Sequence, residues 1–159
     1  IGWIRASAAP VIEQLARIKT ATDLGSPLPT QAVGAQLVGA MSEAQRLRRE
    51  QLRPRRTLLA RLLKQHLPQW QFRIPDGGFF LWARLPSGDS RELAQVALRH
   101  GVLILPGSTM SASGLYTRYV RLPFLADPEA LRDGVGRLAG AWREYEGAPA
   151  ARQQMSAIA

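Results

Sequence analysis

The stretch Pro75–Pro86, PDGGFFLWARLP, sets a glycine pair before a run of large apolar side chains that ends at a proline. Its alternation is typical of a β-strand with two distinct faces: Phe79, Leu81, Ala83 and Leu85 on one, and Phe80, Trp82 and Arg84 on the other. Both faces carry bulky side chains, so we expect both to be covered in the fold. Trp70–Ile74 is also typical of a strand, and a tight turn at Asp76–Gly78 would join the two strands in a hairpin.

The glycine pair at the start of this run has two interpretations. Glycine permits a positive φ and a close approach of the backbone, which a hairpin turn requires and which also suits a backbone that lies against a ligand. Taken alone, Gly77 and Gly78 favour the turn. In the apolar run that follows, we expect three residues to lie in the core: Phe79, Leu81 and Trp82.

Helical periodicity precedes the hairpin. One helix is predicted to start at Ser7–Pro10, a second has Thr30 as its capping residue, and a long third segment covers Glu43–Leu67. Pro54 lies inside the third segment, where it removes a backbone donor and is expected to kink or divide the helix.

Beyond the hairpin, the pattern predicts a helix, two short strands and a final helix. Asp89, with Glu92 three residues later, resembles a capping box, and Gly101 suits the position after a helix end. A cap, a proline and an acid in succession predict a last helix that starts at Asp127–Glu129. The two strands between these helices are expected over Val102–Leu105 and Tyr116–Phe124. The order predicts an α+β fold, a small, mostly antiparallel sheet with helices packed on it.

Composition limits the classes of function. The chain has 159 residues, the size of one typical domain, and 46% of them are hydrophobic. It has no cysteine and only two histidines, so we expect no metal site. No apolar run approaches the roughly 18–20 residues of a membrane span, so no membrane partner is predicted. The sequence contains no P-loop, GxGxxG, HExxH or GxSxG motif.

The formal charge of +9 invites a nucleic-acid interpretation. Arginine supplies almost all of the positive charge, however, since Lys19 and Lys64 are the only lysines, and a GC-rich genome produces the same bias. The basic residues of the long third helix are not interleaved with aromatic side chains that could stack on bases. We therefore expect a solvated helix face rather than a nucleic-acid interface.

Arg121 lies inside the apolar segment YVRLPF (119–124). A guanidinium is almost never buried without a partner. On the residues alone two interpretations stay open. One is an edge position or an internal ion pair, and the other is a fork that grips a substrate carboxylate through two parallel hydrogen bonds.

Four segments together resemble the C-terminal part of the fold-type I, pyridoxal-phosphate-dependent aminotransferases of class I/II: IGWIRAS (1–7), PDGGFFLWARLP (75–86), GVLILPGS (101–108) and RYVRLPFLADPEALRDGVGRLAGA (118–141). The first is similar to the strand after the family's lysine segment, and the second to its P-x-G-G-x-F-x-W strand. The third is similar to its G-V-x-x-x-P-G turn, and the fourth to its R-L-x-F ending. Each is unspecific alone, but the four occur in the family's order and imply the small C-terminal domain of the aminotransferase fold.

The resemblance implies roles for individual residues. Arg121 matches the arginine that binds the α-carboxylate of an amino-acid substrate, which the family interconverts with a 2-oxo acid. Gly78 matches the glycine that brings its strand close to the active-site cleft. Pro106 and Gly107 match the turn near the substrate side chain.

The cofactor that the resemblance implies is pyridoxal 5′-phosphate. Ser26 or Thr30 would reach its phosphate from a neighbouring subunit, which implies a homodimer for the intact protein. The family's Schiff-base lysine is expected before Ile1, and Lys19 and Lys64 are at the wrong places to replace it. We therefore expect no catalytic residue in this segment, no aldimine between it and the cofactor, and no activity of the segment alone.

The opening IGWI looks like a buried strand and has no initiator methionine, so we interpret the chain as part of a longer protein. Three regions are expected. Residues 1–42 would be a remnant of the large cofactor-binding domain with connecting helices, and residues 43–146 the small domain with its long leading helix. Residues 147–159 would form a flexible tail.

The arginine-rich segment and the IGWIRAS start look especially like the MocR branch of regulators, in which an aminotransferase-like domain follows a winged-helix domain of GntR type. This resemblance implies an alternative function, in which the protein senses pyridoxal phosphate or its adducts and regulates transcription. DNA would then bind only through the separate N-terminal domain. We expect a cytoplasmic protein.

Overall fold

The computed structural model describes residues 4–23, 25 and 27–156, and the side chains of all of these except residues 23 and 147–156. The chain divides into two compact units, Ile1–Arg48 and Arg49–Ala159. The strand predicted at the very start falls mainly on residues 1–3, which lie outside the described residues. The predicted domain limits, at 42/43 and 146/147, stay predictions.

Three helices come first: α1 (Ala9–Asp23), α2 (Leu28–Val38) and α3 (Met41–His66). The first helix begins where the sequence predicted. The second begins at Leu28, so Thr30 lies in its first turn and is not its cap, contrary to the prediction.

Pro54 lies inside α3 and does not divide it, so that part of the prediction is wrong. The physical reason lies in the turns that follow the proline, which bury an apolar face. Its buried leucines are Leu58, Leu59, Leu62 and Leu63. Burial of this face outweighs the single hydrogen bond that proline removes, since each buried leucine contributes about 1.5–3 kcal/mol.

Four strands form one antiparallel sheet in the order β1-β2-β4-β3. Their limits are β1 (Gln71–Phe72), β2 (Phe80–Arg84), β3 (Leu105–Pro106) and β4 (Tyr119–Pro123). The predicted hairpin is present, with Gln71 opposite Arg84. Residues 73–79 connect its strands, so the connection is a loop and not the tight turn that we predicted. The small antiparallel sheet and its helices confirm the predicted α+β class.

Two further helices, α4 (Ser90–Arg99) and α5 (Pro128–Ser156), begin where the sequence predicted, and α5 continues into the region for which a tail was expected. The Asp89 carboxylate accepts a hydrogen bond from the backbone of the first turn of α4. Gly101, with φ of +73°, closes that helix as predicted. Asp127 caps α5 in the predicted way, by accepting two backbone hydrogen bonds.

One face of the sheet belongs to the hydrophobic core. Its buried side chains are Leu81, Ala83, Val120 and Leu122. An apolar stripe of α5 is buried in the same core: Leu131, Val135, Leu138, Ala139 and Trp142. No helix in the described part of the chain is both long and apolar enough to cross a membrane.

The opposite face of the sheet, here called the outer face, is only half-buried. It is formed by Phe80, Trp82 and Arg84 of β2 and by Tyr119 and Arg121 of β4. The prediction that both faces of β2 would be covered is therefore wrong, and Phe79 and Trp82 do not join Leu81 in the core. The reason is that the core leucines of α3 and the apolar stripe of α5 bury one face alone, which leaves the other open to a ligand.

Candidate functional site

Arg121 occupies the middle of the sheet. It lies on β4, which pairs with β2 on one side and β3 on the other, so it is not at an edge. Trp82 and Leu105 are its partners across the two neighbouring strands. Among the described residues no carboxylate pairs with it. Both structural interpretations of this arginine, an edge position and an internal ion pair, are therefore unsupported in the described part of the chain.

The contacts of the Arg121 guanidinium are weak ones. Its Cζ lies 3.8 Å from the centroid of the Phe80 ring, a cation–π contact. Its Nη1 lies 3.3 Å from the Met110 sulfur, and a thioether is a weak acceptor. Its Nε is shielded from solvent and has no hydrogen-bond partner among the described residues. A charged group with unsatisfied donors at a half-open surface is suited to bind an anion.

An aromatic cluster lies beside this arginine. The Trp82 ring stacks on Tyr119 at 5.6 Å and 21°, and its edge meets Tyr116 at 5.9 Å and 77°. Tyr116 has a φ of +65°, a conformation that costs a residue other than glycine about 1–3 kcal/mol. The cluster gives the site one preformed, rigid wall of aromatic side chains.

Pro106 and Gly107 lie next to that cluster. Pro106 ends β3 opposite Val120, and Gly107 begins a short 3-10 helix, Gly107–Met110. A Cβ at Gly107 would lie 2.7 Å from the Tyr116 carbonyl oxygen and 2.8 Å from the Tyr119 Cβ, closer than real contacts allow. Glycine is thus required here for close packing. The contact of this turn with a substrate stays a prediction.

Gly78 and Thr30, the described one of the two cofactor candidates, are both exposed. Gly78 is exposed in the loop before β2 with φ of +83°, and no described atom lies within 4 Å of a Cβ added there. Its requirement for glycine is therefore conformational, and its approach to a ligand stays a prediction. Thr30 is an exposed residue of α2, in the unit Ile1–Arg48, and Ser26 lies outside the described residues. Their role at the cofactor phosphate also stays a prediction.

A groove of about 680 Å³ lies along the outer face. Phe80, Trp82 and Tyr119 line it together with residues of the loop between β1 and β2. Because Phe80 and Trp82 also contact or oppose Arg121, the groove continues the surface on which this arginine lies.

The start of α4 supports the 3-10 helix that borders the site. The Arg91 side chain donates a hydrogen bond from Nε to the buried Ser108 hydroxyl, at 2.9 Å. The predicted capping box of α4 is completed by Tyr145 of α5, whose hydroxyl accepts from the Asp89 N–H at 2.8 Å and donates to Glu92 Oε2 at 3.0 Å. Burial raises the pKa of the Tyr145 hydroxyl, so this bridge stays protonated at neutral pH.

The arginines of α3 have structural contacts of their own. Arg55 donates to the carbonyl oxygen of Leu125, and Arg56 donates to that of Pro75 at 2.5 Å. These contacts attach α3 to two loops of the same unit. Two of the basic residues of α3 therefore have structural roles that require no nucleic acid. In the part of the chain that the structure describes, no three acidic or histidine side chains gather as a metal site would require.

Sequence reasoning identified Arg121 and missed most of its neighbours. The pairing of Trp82 with Arg121 joins strands that are not consecutive in the chain, so alternation within one strand could not reveal it. Met110 ends the 3-10 helix, and Tyr116 lies between that helix and β4, although the sequence predicted it as the first residue of a strand. No sequence signal placed either of them beside Arg121.

Comparison with known proteins adds an independent observation. The family described as "Aminotransferase class I and II" matches residues 1–138. The chain is 38% identical over 145 residues to the HTH-type transcriptional regulator YdfD of Bacillus subtilis, across 87% of this chain and 29% of that protein. It is 31% identical over 149 residues to aromatic-amino-acid aminotransferase 1 of Thermococcus litoralis, across 91% of this chain and 36% of that one.

The fold is similar to that of a solved aminotransferase. The structure of LysN, the α-aminoadipate aminotransferase of Thermus thermophilus in complex with N-(5′-phosphopyridoxyl)-L-leucine, matches with a TM-score of 0.72 and 27% identity. The match covers 86% of this chain and 36% of LysN. The chain thus spans about a third of the length of the proteins that it matches.

Proposed function

Because the chain belongs to the family of class I and II aminotransferases, we propose that it forms the substrate-carboxylate side of a pyridoxal-phosphate-dependent active site. The proposed substrates are amino acids and 2-oxo acids, and Arg121 is the residue that binds their carboxylate. The observation that carries the proposal is the state of this arginine. It is half-buried on the outer face, and in the described part of the chain it has no anionic partner.

The contact with Phe80 would orient the guanidinium for this role. The Phe80 ring lies beneath its Cζ, so the donors around its rim are left for an acceptor that approaches in its plane. A carboxylate meets two such donors at once, which fixes both position and rotation of the substrate. Trp82 and the neighbouring tyrosines would limit where the rest of the substrate extends and exclude water from the ion pair.

We propose that the described residues contribute the substrate side of the site and not the lysine that would hold the cofactor. Lys64 is an exposed residue of the last turn of α3 and Lys19 lies in α1, so neither belongs to the sheet that carries Arg121. In this proposal the segment holds the substrate, while residues outside it supply the lysine and most contacts with the cofactor. The segment alone is then inactive, and the intact protein is a cytoplasmic homodimer.

A second function is supported by a separate observation, the 38% identity with the regulator YdfD over 87% of this chain. In a regulator, the same arginine would bind the carboxylate of an effector, and a separate N-terminal domain would bind DNA. The geometry of Arg121 suits both functions, because each requires a carboxylate site on this face of the sheet.

Two measurements on the intact protein, loaded with pyridoxal 5′-phosphate, separate the two functions. The first is amino-group transfer from a panel of amino acids to 2-oxoglutarate. The second is salt-dependent binding to DNA from upstream of its own gene. Turnover that is lost in Arg121→Ala supports the enzyme. Sequence-specific DNA binding that an amino acid alters, without turnover, supports the regulator. Transfer that Arg121→Ala leaves unchanged would refute the proposed role of this arginine.

A further inference from the structure

Met110 lies at the rim of the carboxylate site. It is the last residue of the 3-10 helix Gly107–Met110, and its sulfur is 3.3 Å from Arg121 Nη1. Its side chain is 46% exposed. A surface that admits a substrate carboxylate to Arg121 also admits a small neutral oxidant to this sulfur.

The position of Met110 is fixed by the contacts of its helix. The Ser108 hydroxyl accepts a hydrogen bond from Arg91, and the Thr109 hydroxyl donates one to the Pro106 carbonyl at 2.6 Å. Gly107 is packed against the backbone of the aromatic cluster. The backbone that carries Met110 is therefore braced, while its side chain stays free to rotate beside the guanidinium.

We propose that Met110 is a site of reversible oxidation that controls carboxylate binding by Arg121. The inference rests on the proposed function, because it assumes that Arg121 binds the carboxylate. It adds a modification site and a form of redox regulation to that function.

The chemistry requires a peroxide as the oxidant. The thioether sulfur attacks one oxygen of hydrogen peroxide, an S–O bond forms and the O–O bond breaks. The sulfur is oxidised by two electrons to the sulfoxide, and the second oxygen leaves as water after taking the proton of the transferred hydroxyl. Methionine sulfoxide reductases reverse the change with a thiol as the reductant.

The sulfoxide would compete with the substrate for the same donors. A thioether is a weak acceptor, so reduced Met110 leaves the Arg121 donors available. A sulfoxide oxygen is a strong acceptor, and rotation about the side-chain bonds brings it within hydrogen-bond reach of Nη1. Because one charge-assisted hydrogen bond is worth roughly a factor of ten or more in affinity, oxidation is expected to raise the Kd for carboxylates about tenfold.

The experiment uses the intact protein loaded with pyridoxal 5′-phosphate. Calorimetry measures the Kd of pyruvate, 2-oxoglutarate and phenylpyruvate before and after treatment with hydrogen peroxide, and peptide mass analysis measures the oxidised fraction of each methionine. The expected result is a Kd about tenfold higher in step with oxidation of Met110, and its recovery after treatment with methionine sulfoxide reductase. Met110→Leu should keep its Kd through the same treatment, whereas the matched control Met41→Leu should lose affinity like the wild type.

Two results would overturn the inference. One is a fully oxidised Met110 with an unchanged Kd, and the other is a loss of affinity that Met110→Leu also shows. The wild-type series with reductase gives an answer even if Met110→Leu does not fold. Arg121→Ala in the same titration keeps the proposals apart. If that variant binds 2-oxo acids like the wild type, the proposed function fails. If it loses binding while oxidation has no effect, only the role of Met110 fails.

Discussion

Replacement of Arg121 by alanine in the intact protein should lower kcat/KM for amino acids about 100-fold and raise KM, while binding of the cofactor stays nearly unchanged. The expected loss follows from a two-point contact between the substrate carboxylate and the guanidinium, whose Nη1 has only the weak Met110 sulfur as an acceptor. Each charge-assisted hydrogen bond is worth about 1.5–3 kcal/mol. Because the side chain is only half-buried, water replaces part of this, and a net loss of about 3 kcal/mol corresponds to about 100-fold.

The same contacts predict a small effect on folding. Arg121→Ala removes one cation–π contact with Phe80, worth about 0.5–1 kcal/mol at a partly exposed site, and no ion pair with a described residue. The variant should therefore unfold at nearly the same urea concentration as the wild type. A low kcat/KM in a stable protein would then reflect lost binding and not lost structure.

Arg121→Lys refines the test. Lysine keeps the charge but loses the planar fork, so its kcat/KM should lie between those of alanine and arginine. Arg132→Ala is a matched control, because this exposed arginine of α5 donates to Pro128, away from the outer face. Steady-state kinetics with two amino acids of different side chain would give kcat/KM for the wild type and the three variants. Equal KM in wild type and Arg121→Ala for both amino acids would refute the assignment of the carboxylate site.

Three further predictions concern the framework of the site. Gly107→Ala should destabilise the protein by about 1–3 kcal/mol in urea unfolding, because a Cβ at this position has no room. Gly136→Ala in α5, where nothing lies within 4 Å, should stabilise it by about 0.5–1 kcal/mol. Equal changes in stability for the two variants would contradict the packing around Gly107. Tyr145→Phe should cost about 1 kcal/mol, because the hydroxyl that bridges the cap of α4 is lost, and a thermal melt that matches the wild type would argue against the bridge. Hydrogen bonds with Arg99, the larger cause, and with His100 lower the pKa of Glu144 from its ordinary 4.5. The contribution of Glu144 to folding stability is therefore fully present above pH 4.5 and is lost as the pH falls through the lower folded pKa. Glu144→Gln should therefore be less stable than the wild type near neutral pH and equal to it in strong acid, in urea melts across that range.

The sequence predicted the elements whose causes are local. Asp127 and Gly101 could be identified as a helix start and a helix end because a cap depends on the few residues around it. The length of β1 could not be predicted in this way, because the ends of a strand depend on how it pairs with its neighbour. The same holds for the open outer face, since alternation in β2 gives two faces but does not say which of them the helices cover.

The residues of the candidate site were likewise predictable only in part. A charged residue inside an apolar strand singled out Arg121 before any contact was known. Its weak partners, Phe80 and Met110, come from a neighbouring strand and from the 3-10 helix, and only the fold brings them together. The proposed role of Arg121 depends on these contacts, because an arginine with a carboxylate beside it would be structural.

The two faces of the sheet affect two different properties of the protein: the core face affects folding stability, and the outer face, in the proposed function, affects ligand binding. Leu81 and Val120 point into the core, whereas their chain neighbours Trp82 and Arg121 lie on the half-open face. A change on the core side removes buried apolar contact and acts on the free energy of unfolding, at about 2–5 kcal/mol for a leucine shortened to alanine. A change on the outer face removes little buried area and, in the proposed function, acts on ligand affinity. An enzyme and a regulator can therefore share the core of this domain, which agrees with the similarity of the chain to proteins of both kinds.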